Sequence, residues 1–126
     1  MVIRFVFFVV LLMAVFVWTK EAIVTGKAIN LINDHPHPVW TPRALYWLGN
    51  FYYLIGNNKK AVICLEIIVN KYPKSGRTED AEYLLGVCYE KTDLPKSIAW
   101  YKKLLEDYPK TKRREMVEKD IYFLQQ

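Results

Sequence analysis

The pattern of apolar and polar positions changes character along the chain. From Val2 to Trp18 the apolar residues are continuous, broken only by Arg4. Further on they recur at helical spacing. Leu45, Leu48, Tyr52 and Ile55 lie three, four and three apart, and Tyr101, Leu104, Leu105 and Tyr108 lie three, one and three apart. Both are one-face helix patterns. Between them, "AVICLEIIV" (residues 61–69) is apolar on every side except at Glu66 and rich in Val and Ile. Composition alone reads it as a buried strand. Helix punctuation surrounds these runs. Thr41-Pro42 offers a capping hydroxyl followed by Pro in the first turn, and Gly56-Asn57-Asn58 a stop and restart. Thr78 and Asp93 are expected to cap the two helices that follow.

The first run predicts a membrane anchor. Counted from Val2 it spans 17 residues, about 25 Å of helix at 1.5 Å per residue and slightly short of a ~30 Å hydrocarbon layer. Ala22, Ile23 and Val24 can lengthen it. Arg4 and Lys20 are placed to snorkel at its ends, and Trp18 falls where an interfacial aromatic belongs. "AVFVWTK" puts bulky residues where a signal peptidase needs small ones, and no lipidation cysteine follows. A single-pass anchor is therefore expected, with a cleaved signal or a buried core helix as the alternatives. The flanking positive charges are nearly balanced and do not orient it.

The remainder repeats. Ala44, Tyr46, Leu48-Gly49 and Tyr52 meet Ala81, Tyr83, Leu85-Gly86 and Tyr89 at an offset of 37. Ala61, Leu65, Ile68-Val69 and Tyr72-Pro73-Lys74 meet Ser97, Tyr101, Leu104-Leu105 and Tyr108-Pro109-Lys110 at an offset of 36. One residue is lost in the second inner turn. The register makes 61–69 a helix against its β preference, with Ala61, Leu65, Ile68 and Val69 facing inward. Gly49 and Gly86 sit in mid-helix, where Gly costs about 1 kcal/mol relative to Ala. Their matched positions predict a neighbouring helix too close for a Cβ.

This pattern (Leu-Gly-x-x-Tyr, a short turn, a small residue, an aromatic or Leu, then Tyr-Pro) resembles the tetratricopeptide (TPR) repeat. The "KYPKS" and "DYPKT" endings are similar to the bacterial envelope subgroup, the Tol-Pal-associated and outer-membrane-assembly types. The resemblance implies an all-α chain, an N-terminal transmembrane helix plus a short TPR-like α-solenoid. Its expected divisions are an anchor at 1–20, a helix of a partial repeat and loop at 21–40, two repeats at 41–110 and a C-terminal capping helix at 111–126. In the last, Val117, Ile121 and Leu124 share a face. It also implies a concave groove built by the first helix of each repeat, here Arg43, Tyr46, Asn50, Tyr53, Tyr83, Val87 and Glu90. Of the residues that clamp a terminal carboxylate in chaperone-type TPRs, Asn50 matches one, whereas Tyr46 and Val87 replace others. On the convex side the alignment turns Lys96, Ala99, Lys102, Lys103 and Glu106 outward in the second repeat. In the first it turns out Lys60, Ile63, Glu66, Ile67 and Asn70. Ile63 and Ile67 are thus expected to be exposed a turn apart, and contiguous exposed apolar surface marks a partner or a membrane.

Composition adds little chemistry. A net charge of +5 and a pI near 9.2 are mildly basic and demand neither nucleic acid nor lipid. The densest basic run, "KTKRR" (110–114), lacks interleaved aromatics and reads as a solvated face of the capping helix, not a nucleic-acid site. Cys64 and Cys88 have no metal spacing. They read as buried thiols, with a disulfide as the alternative. Asp34, His35 and His37 are the only candidate metal set, in a Pro-stiffened loop with no further His to complete it. No catalytic motif occurs. We expect no cofactor, no metal, no nucleic acid and no small-molecule substrate. The expected function is a non-catalytic, membrane-anchored scaffold, an accessory subunit contacting other protein subunits and touching the bilayer through residues 2–18. The alternative is a periplasmic peptide- or envelope-protein-binding module acting on its own. The repeat domain is expected on the extracytoplasmic side.

Overall fold

A computed structural model describes residues 1–126. The chain forms seven helices and no strand: α1 (Val2–Thr25), α2 (Lys27–Asp34), α3 (Trp40–Leu54), α4 (Asn58–Lys71), α5 (Thr78–Tyr89), α6 (Leu94–Asp107) and α7 (Arg114–Leu124). It divides into two compact units, Met1–His35 and Pro36–Gln126.

In the first unit, α1 runs 24 residues with none of them buried, and it is long and apolar enough to cross a membrane. A signal sequence meets the same two criteria. The helix continues beyond the apolar run, where Thr19 and Thr25 donate their hydroxyls back to the Val15 and Glu21 carbonyls, each at 2.7 Å, so neither adds an unsatisfied polar group. It ends at Gly26, whose φ of 80° is left-handed, a conformation that glycine adopts without steric penalty.

The second unit is two helix hairpins and a closing helix. "AVICLEIIV" is helical within α4, where Ala61, Cys64, Leu65 and Ile68 are buried while Val69 is only half-buried. The core continues through Leu45 and Tyr52 of α3, Ala81, Leu84, Leu85 and Cys88 of α5, and Tyr101 and Leu104 of α6. Val117 of α7 is buried with Tyr101 and Leu104, and Ile121 and Leu124 pack beside it. The apolar face of α7 thus packs against α6.

Both mid-helix glycines mark close crossings. A Cβ on Gly49 would lie 3.2 Å from Cys64 Cβ, and one on Gly86 would lie 2.4 Å from Tyr101 Cε1. Ser97, where the first repeat has Ala61, donates its hydroxyl to the Gly86 carbonyl at 2.7 Å and pins that crossing. Gly56 (φ 81°) turns the chain, and the Asn57 and Asp93 side chains cap α4 and α6 by accepting from Lys60 and Lys96 backbone N–H, both at 3.2 Å.

Two expected caps do other work. Helix α3 starts at Trp40, before Thr41, whose hydroxyl accepts from His37 N–H at 2.7 Å. Thr78 lies inside α5 and donates to the Tyr72 carbonyl at 2.6 Å. In both cases the hydroxyl secures the preceding loop instead of the helix end. The run Leu45, Leu48, Tyr52 is cut before Ile55, which is exposed beyond the end of α3.

Candidate protein-binding surfaces

Tyr46, Asn50 and Tyr53 share one face of α3, and Tyr83 and Val87, with Glu90 at the C-cap, the matching side of α5; all six are half-buried, whereas Arg43 is exposed. Two arginines of the inter-repeat loops, which no motif in the sequence marks, organise them. The Arg77 guanidinium lies 5.4 Å from the Tyr46 ring centre, and that of Arg113 5.0 Å from the Tyr83 ring centre, within the range of cation–π attraction. Asp80 pairs with both arginines, at 3.3 Å to Arg77 and 2.8 Å to Arg113. The result is a continuous ladder, Tyr46–Arg77–Asp80–Arg113–Tyr83. Burial raises the pKa of both phenols. Asp80 adds to the rise at Tyr46 and Asp120 at Tyr83, while the stacked arginines pull the other way. Glu90 accepts the hydroxyl of buried Tyr101. Much of the polar reach of the candidate groove is thus committed within the repeat.

Arg113 therefore departs from the solvated-face expectation for 110–114. It is half-buried because it precedes α7 at the seam with α5, where it also reaches Glu79 at 3.5 Å. The signal was present in the repeat register, since Lys74-Ser75-Gly76-Arg77 and Lys110-Thr111-Lys112-Arg113 are equivalent.

On the convex side Ile63 is 48% exposed. It borders a cavity of about 390 Å³ with Lys59, Val62, Cys88 and Tyr89. Ile67, expected to be exposed beside it, is half-buried. Its equivalent in the second repeat is Lys103, whose amine reaches Glu82 of α5 at 3.4 Å. The position therefore faces the seam between paired helices and only partly solvent. Glu82 itself is buried, a burial the sequence did not reveal. Burial and the neighbouring Asp107 push its pKa up to about 7 against the opposing pull of Lys103.

The largest apolar exposure on the repeats lies elsewhere, on α3. Trp40, Trp47, Phe51 and Leu54 follow at steps of seven, four and three and are all exposed, Trp47 by 61%. In the repeat register Trp47 and Phe51 correspond to Leu84 and Cys88 of α5, where Leu84 is 7% exposed and Cys88 1%. The inner repeat buries this face; the outer repeat leaves it open and fills it with aromatics.

The His loop is built as structure. His37 Nδ1 accepts from the backbone N–H of both Val39 and Trp40 at 3.2 Å, satisfying the start of α3, and His35 Nδ1 lies 2.9 Å from the Leu31 carbonyl. No group of three or more His, Cys, Asp or Glu side chains is placed to hold a metal ion. Cys64 and Cys88 are free and buried, and burial pushes their thiols up to about 12 and about 11.

Comparison with protein families matches the tetratricopeptide repeat at residues 43–75 and 80–111, half of the chain, and the chain belongs to that family. No curated protein matches it. Repeats of this family serve as scaffolds for protein–protein contact, and protein partners follow from the family.

Proposed function

We propose that this protein is a non-catalytic, membrane-anchored TPR scaffold that serves as an accessory subunit of a larger membrane protein complex. One observation carries the reading: the open face of α3, where Trp47 and Phe51 stand exposed at positions that the second repeat buries. A solenoid that ends in water needs a polar terminal face, and contiguous exposed apolar surface marks a docking site. Aromatics supply large contact area at low entropy cost, as interface anchors do. A partner subunit covers this face, and the convex Ile63, with the half-buried Ile67 beside it, offers a second contact on the α5 side. In this reading α1 crosses the bilayer once, with Arg4 and Lys20 at its boundaries and Trp18 at the interface. The repeats then lie on the extracytoplasmic side.

The alternative, a periplasmic module that captures peptides on its own, would use the concave groove. The stacking of Arg77 and Arg113 over Tyr46 and Tyr83 weighs against it.

Purification of the full chain in mild detergent tests the proposal. Other subunits should co-purify in fixed ratio and be lost from the Trp47→Lys and Phe51→Lys variants, which change exposed positions only. A full-length protein that emerges alone and monodisperse would overturn it.

A further inference from the structure

The two inter-repeat loops are the same device with one part exchanged. In the second, Lys110-Thr111-Lys112-Arg113 closes over the start of α5. The Glu79 carboxylate is hydrogen-bonded to the Thr111 hydroxyl and lies 3.5 Å from Arg113, while Asp80 pairs with Arg113 at 2.8 Å. The loop's cation is thus neutralised from within the fold. The first loop, Lys74-Ser75-Gly76-Arg77, has the same turn. Ser75 Oγ accepts from Arg77 N–H at 3.1 Å, as Thr111 Oγ1 accepts from Arg113 N–H at 3.2 Å.

The residues that face the first loop differ. At the repeat positions of Glu79 and Asp80 stand Pro42 and Arg43. A cavity of about 400 Å³ is lined by Pro38, Val39, Arg43, Lys74, Ser75 and Arg77 with Gly76, and by no carboxylate. Arg43 is exposed and stacks on Trp40 at 5.4 Å, and neither it nor Lys74 has an acidic partner. Arg77 is held by Asp80 through one amino group only, and a guanidinium has further donors to offer.

We propose that this cavity is a carboxylate-binding site for an acidic segment of a protein partner, with one incoming Glu or Asp taking the place that Glu79 fills in the second repeat. The internal glutamate is the template. A hydroxyl and one amino group of an arginine already meet a carboxylate in that setting, and a guanidinium offers charge-assisted N–H donors to carboxylates. Arg43 and Lys74 add charge for a second acidic residue, and the Trp40 ring holds the Arg43 fork in place. The site lies at the repeat junction, where Arg77 stacks over Tyr46 at 5.4 Å, and it uses none of the carboxylate-clamp residues of the concave face, two of which are replaced here by Tyr46 and Val87. The inference rests on the reading that the chain holds a protein partner.

The test uses the full chain in non-ionic detergent at low salt, with dye-labelled poly-glutamate as the probe and poly-glutamine as the control. Poly-glutamate should bind, and the Arg43→Asp and Lys74→Gln variants should each weaken it about tenfold, as expected for losing a charge-assisted hydrogen bond. Glu79→Gln should open the second loop and raise the number of peptides bound. Unchanged affinity in both cation variants overturns the proposal, as does displacement of the peptide by inorganic phosphate at an equal concentration of anion. Subunits that still co-purify with Arg43→Asp while poly-glutamate binding is insensitive to it would sink the acidic site and leave the scaffold reading standing.

Discussion

The ring of Tyr101 lies across Gly86 so closely that a single methyl on that glycine would meet Cε1 at 2.4 Å. Tyr101 has no room to retreat, because it is fully buried and its hydroxyl is bonded to Glu90. At the equivalent crossing Leu65 gives Gly49 more space, with its nearest side-chain carbons at 3.3 Å. The same Gly therefore answers to different partners in the two repeats.

Gly86→Ala should destabilise the repeat unit by up to about 2 kcal/mol net, because an overpacking cost toward the upper end of about 1–3 kcal/mol outweighs the roughly 1 kcal/mol that Ala gains in a helix. Gly49→Ala should stay within about 1 kcal/mol of the parent, its clash being a few tenths of an ångström. Chemical denaturation of each variant provides the comparison. Tyr101→Leu, which installs the first repeat's residue, should recover part of the Gly86→Ala loss. Equal stability of both alanine variants, or no coupling in the double variant, would refute the close-crossing account.

Buried Glu82 makes stability depend on pH near neutrality. Its folded pKa of about 7 lies above the ordinary 4.5, so the folded state holds the proton more tightly than the unfolded chain. Its contribution is fully present below about pH 4.5 and is lost as pH rises through 7. Asp107 works in the opposite sense: hydrogen bonds from Lys103 and then Glu82 lower its pKa below 3.8, so its contribution is present above that value and lost only in stronger acid. Glu82→Gln keeps a donor for Asp107 and an acceptor for Lys103. The variant should be more stable than the parent at pH 8, and its denaturation midpoint should lose the decline between pH 4.5 and 7. Parallel pH profiles for the two proteins would exclude Glu82 as the cause.

Spacing carried the repeat itself. Matched glycines, tyrosines and Tyr-Pro endings gave α3 to α6 their order, and they turned the β-like "AVICLEIIV" into a helix, because its inward positions had partners in a second copy. What spacing does not encode is the environment at each seam. Glu82 and Lys103 carry the charges of a solvated helix, and only the pairing of α5 with α6 buries the carboxylate. Arg77 and Arg113 look like loop charges until the fold lays them on Tyr46 and Tyr83. The repeat alignment turns Ile67 outward with its equivalent Lys103, and it does not show how closely the paired helix approaches that position. The open face of α3 was legible in part: Trp47 and Phe51 align with Leu84 and Cys88, but periodicity tells which residues share a face and not whether anything covers it.

Both thiols should be silent toward maleimide or disulfide reagents in the native protein at neutral pH. Cys64 and Cys88 are buried, and burial holds their pKa at about 12 and about 11, so the reactive thiolate is scarce. Both should label once denaturant crosses the unfolding transition, and mass spectrometry counts them. Rapid labelling of either one in the folded state would mean that the α4–α5 packing opens locally far below global unfolding.

Arg113 joins three contacts, a stack on Tyr83 and ion pairs with Asp80 and Glu79. Its side chain and that of Glu79 are each about a third exposed, so solvent screens the pairs and each is worth well under 1 kcal/mol. The stack adds roughly 0.5–1 kcal/mol. Arg113→Ala should therefore cost about 1 kcal/mol, with part of the loss disappearing at high salt, where the ion pairs are already screened. Arg113→Lys keeps the charge but lacks the planar fork that meets Asp80 and lies on the ring at once. It should recover less than half of the loss. A double-variant cycle with Asp80→Asn isolates the ion pair from the stack. If Lys restores full stability, Arg113 acts as a point charge alone, and the Tyr46–Arg77–Asp80–Arg113–Tyr83 ladder is a set of neighbours and not a coupled unit.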